Sequence, residues 1–172
     1  MPYRVNDIIK LMEEIAPPQL AESWDNVGLL VGSGNQIVKK IMVTLDVTAE
    51  VIREAAEKEV NLIICHHPVL FKPVKSLTDN TITGAQIAAL IRSGISVYAA
   101  HTNFDKAQGG TDDKLAELLG LKEVRPLTLE GEKPSFGRIG RLPEKQTLEA
   151  YLKQIRNALD ARSEERRVGK EC

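Results

Sequence analysis

The sequence predicts an α/β fold, with a mostly parallel or mixed sheet flanked by helices, and three observations carry that expectation. Short apolar runs rich in β-formers alternate with segments of helical periodicity, and the connections between them are short. Three successive apolar runs also stop at residues able to bind a metal, namely Asp46, His66-His67 and His101. In open parallel sheets ligands gather outside the carboxyl ends of the strands. Parallel pairing would therefore carry all three endings to one edge.

Taken in order, Val5 to Ile15 places Ile8, Leu11, Met12 and Ile15 at helical spacing behind Asn6 as N-cap, and Pro17-Pro18 ends that helix. A loop carrying Trp24, the single tryptophan, leads into a short strand from Val27 to Val31. The Gly32-Ser33-Gly34-Asn35 turn lacks the Gly-Lys-Ser/Thr of a Walker loop and the three spaced glycines of a dinucleotide loop. Ile41 to Leu45 is the next strand, and Thr48 caps a helix to about Lys58 that buries Val51, Ile52 and Ala55. Leu62 to Cys65 is a buried strand ending at His66 and His67. After a loop from Pro68 to about Asn80, Ile82, Ala85, Ala89 and Leu90 mark a helix that Gly94 terminates. Ile95 to Ala100 is the third strand of the series and ends at His101. A Gly109-Gly110 turn and a Thr111 cap then introduce a helix from Asp112 to Leu119. Further on, Gly131 to Pro134 reads as a loop, Phe136 to Leu142 as a strand and Thr147 as the cap of an amphipathic helix bearing Leu148, Tyr151, Leu152, Ile155 and Leu159.

Composition narrows the functional classes. A chain of 172 residues, 42% hydrophobic and 27% charged, is ordinary for a globular protein. Its formal net charge of −1 gives no electrostatic case for nucleic acid, because the one basic cluster, Arg162 to Lys170, is interleaved with Glu164, Glu165 and Glu171. No apolar run approaches the ~18 to 20 residues of a membrane span, and the first residues lack a signal peptide's apolar core, so a cytoplasmic location is expected. Cys65 and Cys172 make no disulfide framework. Cys65 reads as a small buried hydrophobe within its apolar run.

The chemistry concentrates in two stretches that hold all three histidines, Cys65-His66-His67-Pro68 and His101-Thr102-Asn103-Phe104-Asp105. Neutral imidazole is the commonest protein ligand of transition metals. Pro68 restricts His67 to extended geometry, in which adjacent side chains point to opposite sides. His66 and His67 are therefore expected to serve two different ions. Asp105 is the natural carboxylate partner, able to bridge two ions about 3.5–4 Å apart. His101 is either a ligand or a group holding Asp105 or a bound water. Asp46 either supports an imidazole or starts the following helix. Asp25 and Asn26 read as turn formers, with a polar rim to the site as the alternative, and Asn103 reads as a turn former. Two imidazoles and one carboxylate are too few donors for a dinuclear centre. Waters and substrate complete it, or further ligands lie downstream.

Trp24-Asp25-Asn26-Val27-Gly28-Leu29, Thr44-Leu45-Asp46, His66-His67-Pro68 and His101-Thr102-Asn103-Phe104-Asp105, in this order, resemble the Nif-three-like dinuclear-metal-centre hexameric protein family, whose bacterial members are often named GTP cyclohydrolase I type 2 homologues. The resemblance runs from about residue 3 to residue 160. It implies an α/β fold of two related halves, a toroidal homohexamer assembled from dimers, and two divalent ions facing an internal cavity. By motif, His66, His67 and Asp105 match direct metal ligands, and His101 lies beside the metals. The family completes its site with a late His-x-x-x-Glu motif, which this sequence lacks.

Residues 162–172 match a forward-frame translation of a common sequencing adapter and are set aside from fold reasoning as a non-native tail. The expected organisation is then an α/β metal-binding lobe over 1–128, the start of a truncated second lobe over 129–161, and that tail. A chain ending there is expected to bind metal weakly and not to close a hexamer. Two functions follow from the resemblance and the residues. One is a metal-dependent hydrolase acting on a nucleotide or phosphoester, with His101 as proton carrier. The other is a non-catalytic metal-binding or metal-delivery scaffold. Histidine with carboxylate suits Zn, Fe, Mn and Ni alike.

Overall fold

The computed structural model describes residues 2–127 and 136–160. The expected 131–134 loop and the 162–172 tail lie outside the described residues. The chain divides into two compact units, Met1–Gly110 and Thr111–Cys172. The helix that starts at Thr111 thus groups with the second unit, whereas the sequence reading kept it in a lobe ending at 128.

In the first unit α1 (Val5–Ile15) and a 3-10 turn (Pro18–Leu20) precede β1 (Gly28–Val31). Then come β2 (Ile41–Thr44), α2 (Ala49–Glu57), β3 (Leu62–Cys65), α3 (Ile82–Arg92), β4 (Ser96–Ala99) and the short α4 (Thr102–Lys106). The four strands form one mixed sheet in the order β1-β4-β3-β2. β2, β3 and β4 are parallel, while β1 runs antiparallel to β4.

Alternation along the strands sorts the core into two layers. Ile63, Cys65, Val97 and Ala99 pack with Ile52 and Ala55 of α2 and Leu90 of α3. Leu62, Ile64 and Tyr98 pack on the other face with Val5, Ile8, Ile9 and Met12 of α1. Both faces of β3 and β4 are therefore covered, which is why these strands read as continuous apolar runs rather than as alternating ones.

Thr48 caps α2 and Thr81 caps α3, each hydroxyl accepting a first-turn amide, from Val51 at 3.3 Å and Gly84 at 3.1 Å. α1 departs from expectation at its start. Its N-cap is Arg4, not Asn6, because the Val5 and Asn6 amides donate to the Gln36 and Gly34 carbonyls, both at 2.9 Å, and the Arg4 amide donates to the Asp7 carboxylate at 2.8 Å. Main-chain carbonyls from a later turn thus do the work that a side-chain cap does elsewhere.

The second unit holds α5 (Thr111–Leu118), an antiparallel pair of β5 (Lys122–Pro126) and β6 (Arg138–Arg141), and α6 (Leu148–Ala158) capped by Thr147. Arg138, with 4% of its side chain exposed, reaches Asp112 at 3.4 Å and also pairs with Asp113. That clamp ties β6 to the first turn of α5, where acidic residues also favour the helix dipole.

Candidate metal centre

The three parallel strands end level with one another. Thr44 pairs with Cys65, and Cys65 with Ala99. Asp46, His66-His67 and His101 consequently leave the sheet at the same edge, as the sequence pattern predicts.

The backbone does not continue as a strand through the histidine pair. It bends there, the His66 and His67 amides donating to the Thr44 and Leu45 carbonyls at 3.2 and 2.9 Å. The expected divergence of the two side chains fails for that reason. Their ring centroids lie 5.0 Å apart, and His101 lies 5.0 Å from His66 and 5.7 Å from His67. One ring nitrogen from each histidine falls within 4.8 Å of the other two, a grouping that could hold a metal ion. Asp105, in the second half of α4, brings a carboxylate oxygen to 3.6 Å from His66 Nε2.

Each imidazole is oriented by an acceptor on Nδ1. His66 Nδ1 meets the Ala100 carbonyl at 3.1 Å, His67 Nδ1 meets Asp46 at 2.8 Å, and His101 Nδ1 meets Asp25 at 2.9 Å. A carbonyl or carboxylate oxygen only accepts, so each Nδ1 carries a proton, and in the neutral ring the lone pair then lies on Nε2. Supporting acceptors of this kind fix the tautomer and raise the basicity of metal-binding histidines. The donor set therefore fits a divalent ion in chemistry as well as in proximity. Of the two readings open for Asp46, support of an imidazole is the one the geometry takes.

Asp25, read from the sequence as a turn former with a polar rim to the site as the alternative, lies in the site. Its side chain is fully buried, and it accepts from His101 Nδ1, from the Thr102 amide at 3.1 Å and from the Thr102 hydroxyl at 2.5 Å. Burial pushes its carboxyl up, but the hydrogen bonds from Thr102, His101 and the Asn26 amide together outweigh it and leave the group below its usual range. Its access to the site comes from β1. Because that strand is antiparallel, with Gly28 opposite Ala99, the loop before it lies at the same edge as the loops after β3 and β4. The Glu22 amide donates to the Thr102 hydroxyl at 3.0 Å, Glu22 pairs with Lys106, and the Asn26 amide group donates to the Leu70 carbonyl.

Asn103 also exceeds its turn reading. Fully buried, it accepts from the His101 amide at 2.9 Å and donates to the Ala16 carbonyl at 2.8 Å, locking the start of α4 to the end of α1. Gly110 closes the segment. A methyl group there would lie 1.8 Å from the Phe104 carbonyl oxygen, just ahead of Asp105. Cys65 is 2% exposed on the α2 and α3 face of the sheet, and burial pushes its thiol up to about 12. It is a core residue, as its sequence context predicts.

Fold and site together define an α/β protein with a metal-capable histidine cluster at its strand ends. The family model of Duf34/NIF3 (NGG1p interacting factor 3) matches residues 3–171. The GTP cyclohydrolase 1 type 2 homolog of Clostridium perfringens is 38% identical over 162 residues, which cover 93% of this chain and 62% of that protein. Among solved structures, Staphylococcus aureus hypothetical protein SA1388 superposes with a TM-score of 0.81 at 30% identity, over 93% of this chain and 65% of that one. Reduced HcgD from Methanocaldococcus jannaschii superposes with a TM-score of 0.79 at 32% identity, over 91% of this chain and 60% of that one. The chain belongs to the Duf34/NIF3 family, and it spans about 62% of the length of the Clostridium perfringens relative. No helix among the described residues is long and apolar enough to cross a membrane.

Proposed function

We propose that this protein holds two divalent metal ions and works as a metal-dependent hydrolase on a nucleotide or phosphoester. The observation that supports it best is the set of three imidazoles at one sheet edge, each tied through Nδ1 to an acceptor so that its Nε2 lone pair is offered to a ligand. In this reading His66, His67 and Asp105 hold the metal. When bound, divalent ions would acidify water near neutral pH and polarise a phosphoryl group or a ring carbon–nitrogen bond. His101 carries the proton. Its Nδ1 is fixed by the buried Asp25, so Nε2 is the atom that takes and returns it. Asp46 and the Ala100 carbonyl keep the other two rings in place.

Turnover by this chain and by a full-length relative, each loaded with Zn, Mn, Fe or Ni, tests the reading on a panel of nucleotides and phosphoesters. GTP belongs in that panel because of the name the Clostridium perfringens relative carries. His67→Ala and Asp105→Ala are expected to lose both metal and activity. His101→Gln is expected to keep the metal and lose turnover. Loss of metal in His101→Gln would make His101 a ligand instead. Anomalous scattering would count the ions and show whether His66 and His67 share one.

A second reading, a non-catalytic metal-delivery scaffold, is favoured by one observation. His67 is about half exposed, at 48%, and its partner Asp46 is as open, which suits an ion that must leave. Metal binding without turnover across the panel would select it. A homohexamer as the working assembly is part of the same proposal, and sedimentation of the full-length relative tests it.

A further inference from the structure

Beside the histidine cluster, the loop carrying Trp24 and the loop after His67 enclose an open cavity of about 350 Å³. That volume lies within the ~300–1,000 Å³ of small-molecule sites. Trp24 and Phe71 stand edge-on in its wall, 6.0 Å apart between ring centroids, and both remain open to solvent at 57% and 45% exposure. Large aromatic side chains usually hide their faces, and here the chain's single tryptophan does not. Lys72 lines the same cavity and supplies a positive charge, while Asn26 lines it and pins the two loops together through the Leu70 carbonyl. Phe71 also meets His101 edge-on, at 6.3 Å and 89°. The aromatic wall is thus continuous with the ring assigned above as proton carrier.

We infer that this cavity is the subsite for the base and phosphate of a nucleotide, the base stacking on Trp24 with Phe71 closing its edge and the phosphate facing Lys72. The inference rests on the hydrolase reading for its purpose, and it narrows the substrate from any phosphoester to one with a planar ring. Aromatic faces accept any base by stacking, and an ammonium group holds phosphate as a point charge, so the wall selects a class of ligand rather than one base. A second copy of the chain would need a broader apolar contact than a hollow that mixes two rings with a lysine, an asparagine and the buried edge of Asp25.

Because Trp24 is the only tryptophan, its emission reports this cavity alone. The test is a titration of metal-free protein with GMP, with excitation on the red edge of the tryptophan band, and guanosine, ribose 5-phosphate and inorganic phosphate as comparisons. GMP is expected to quench saturably, guanosine more weakly, and the two ringless phosphates not at all. Phe71→Ala is expected to weaken GMP about tenfold, the loss of one edge-on aromatic contact. Lys72→Ala is expected to bring GMP down to the level of guanosine. Because the protein in this titration carries no metal, its outcome stands apart from that of the metal centre. Ribose 5-phosphate binding as tightly as GMP, or quenching indifferent to Phe71→Ala, overturns the inference. So does emission that follows protein concentration and not GMP, which would mean that a second copy covers the rings.

Discussion

Asp25 accepts three hydrogen bonds from His101 and Thr102 with its side chain fully buried, and it is the residue whose replacement is most informative. Asp25→Asn keeps the shape but puts an amide donor opposite donors. The cost in stability is expected to be about 1–3 kcal/mol, and metal affinity is expected to fall ~10–100-fold, as when other histidine supports are removed. Urea unfolding and competitive metal titration measure the two effects. Cys65 makes a contrasting case. Buried among Ile63, Val97 and Leu90 with its thiol pushed up to about 12, it should resist iodoacetamide at neutral pH in a Cys172→Ser background until the protein is unfolded. Rapid native labelling would contradict its core position. Cys65 was legible in the sequence because it closes the apolar run Leu62-Ile63-Ile64. Asp25 was legible only as one of two alternatives, a turn former or a polar rim, because nothing local in Trp24-Asp25-Asn26 tells where that turn will lie.

At the level of elements, the regular helices and the three parallel strands were legible from periodicity and threonine caps, and the shared edge followed from them. Three features were not. α4 has only five residues and is held by Asn103 and Asp25 rather than by its own pattern. β5 is exposed along its length and carries no apolar alternation to read. The bend at His66-His67 is set by hydrogen bonds to Thr44 and Leu45 of the preceding strand segment, a contact that Pro68 alone did not foretell. Element packing also yields a prediction for the second unit. Arg138→Ala would take the guanidinium away from Asp112 and Asp113 at the start of α5, where both carboxylates are largely buried and Asp112 keeps the Gly137 amide. A loss of about 3 kcal/mol is expected, towards the low end for a broken buried pair because some solvent reaches the acids. Thermal unfolding of the variant checks it, and an unchanged midpoint would mean that the clamp is idle.

For the molecule as a whole, a ligand that binds only the folded chain stabilises it by mass action. Zinc or manganese at a hundredfold excess over its dissociation constant should add about 2.7 kcal/mol and raise the melting temperature by several degrees. Chelator should reverse the gain, and a His66→Ala/His67→Ala double variant should show none. A melting temperature indifferent to Zn, Mn, Fe and Ni would remove the metal from the account of this protein. The reversal of β1 has a consequence of another kind. It splices the cluster from stretches 76 positions apart, with Asp25 answering to His101. In a randomised library selected for stable, metal-loaded chains, positions 25, 101 and 102 should therefore accept substitutions only in matched sets, behaving as one heritable unit despite their distance in the gene.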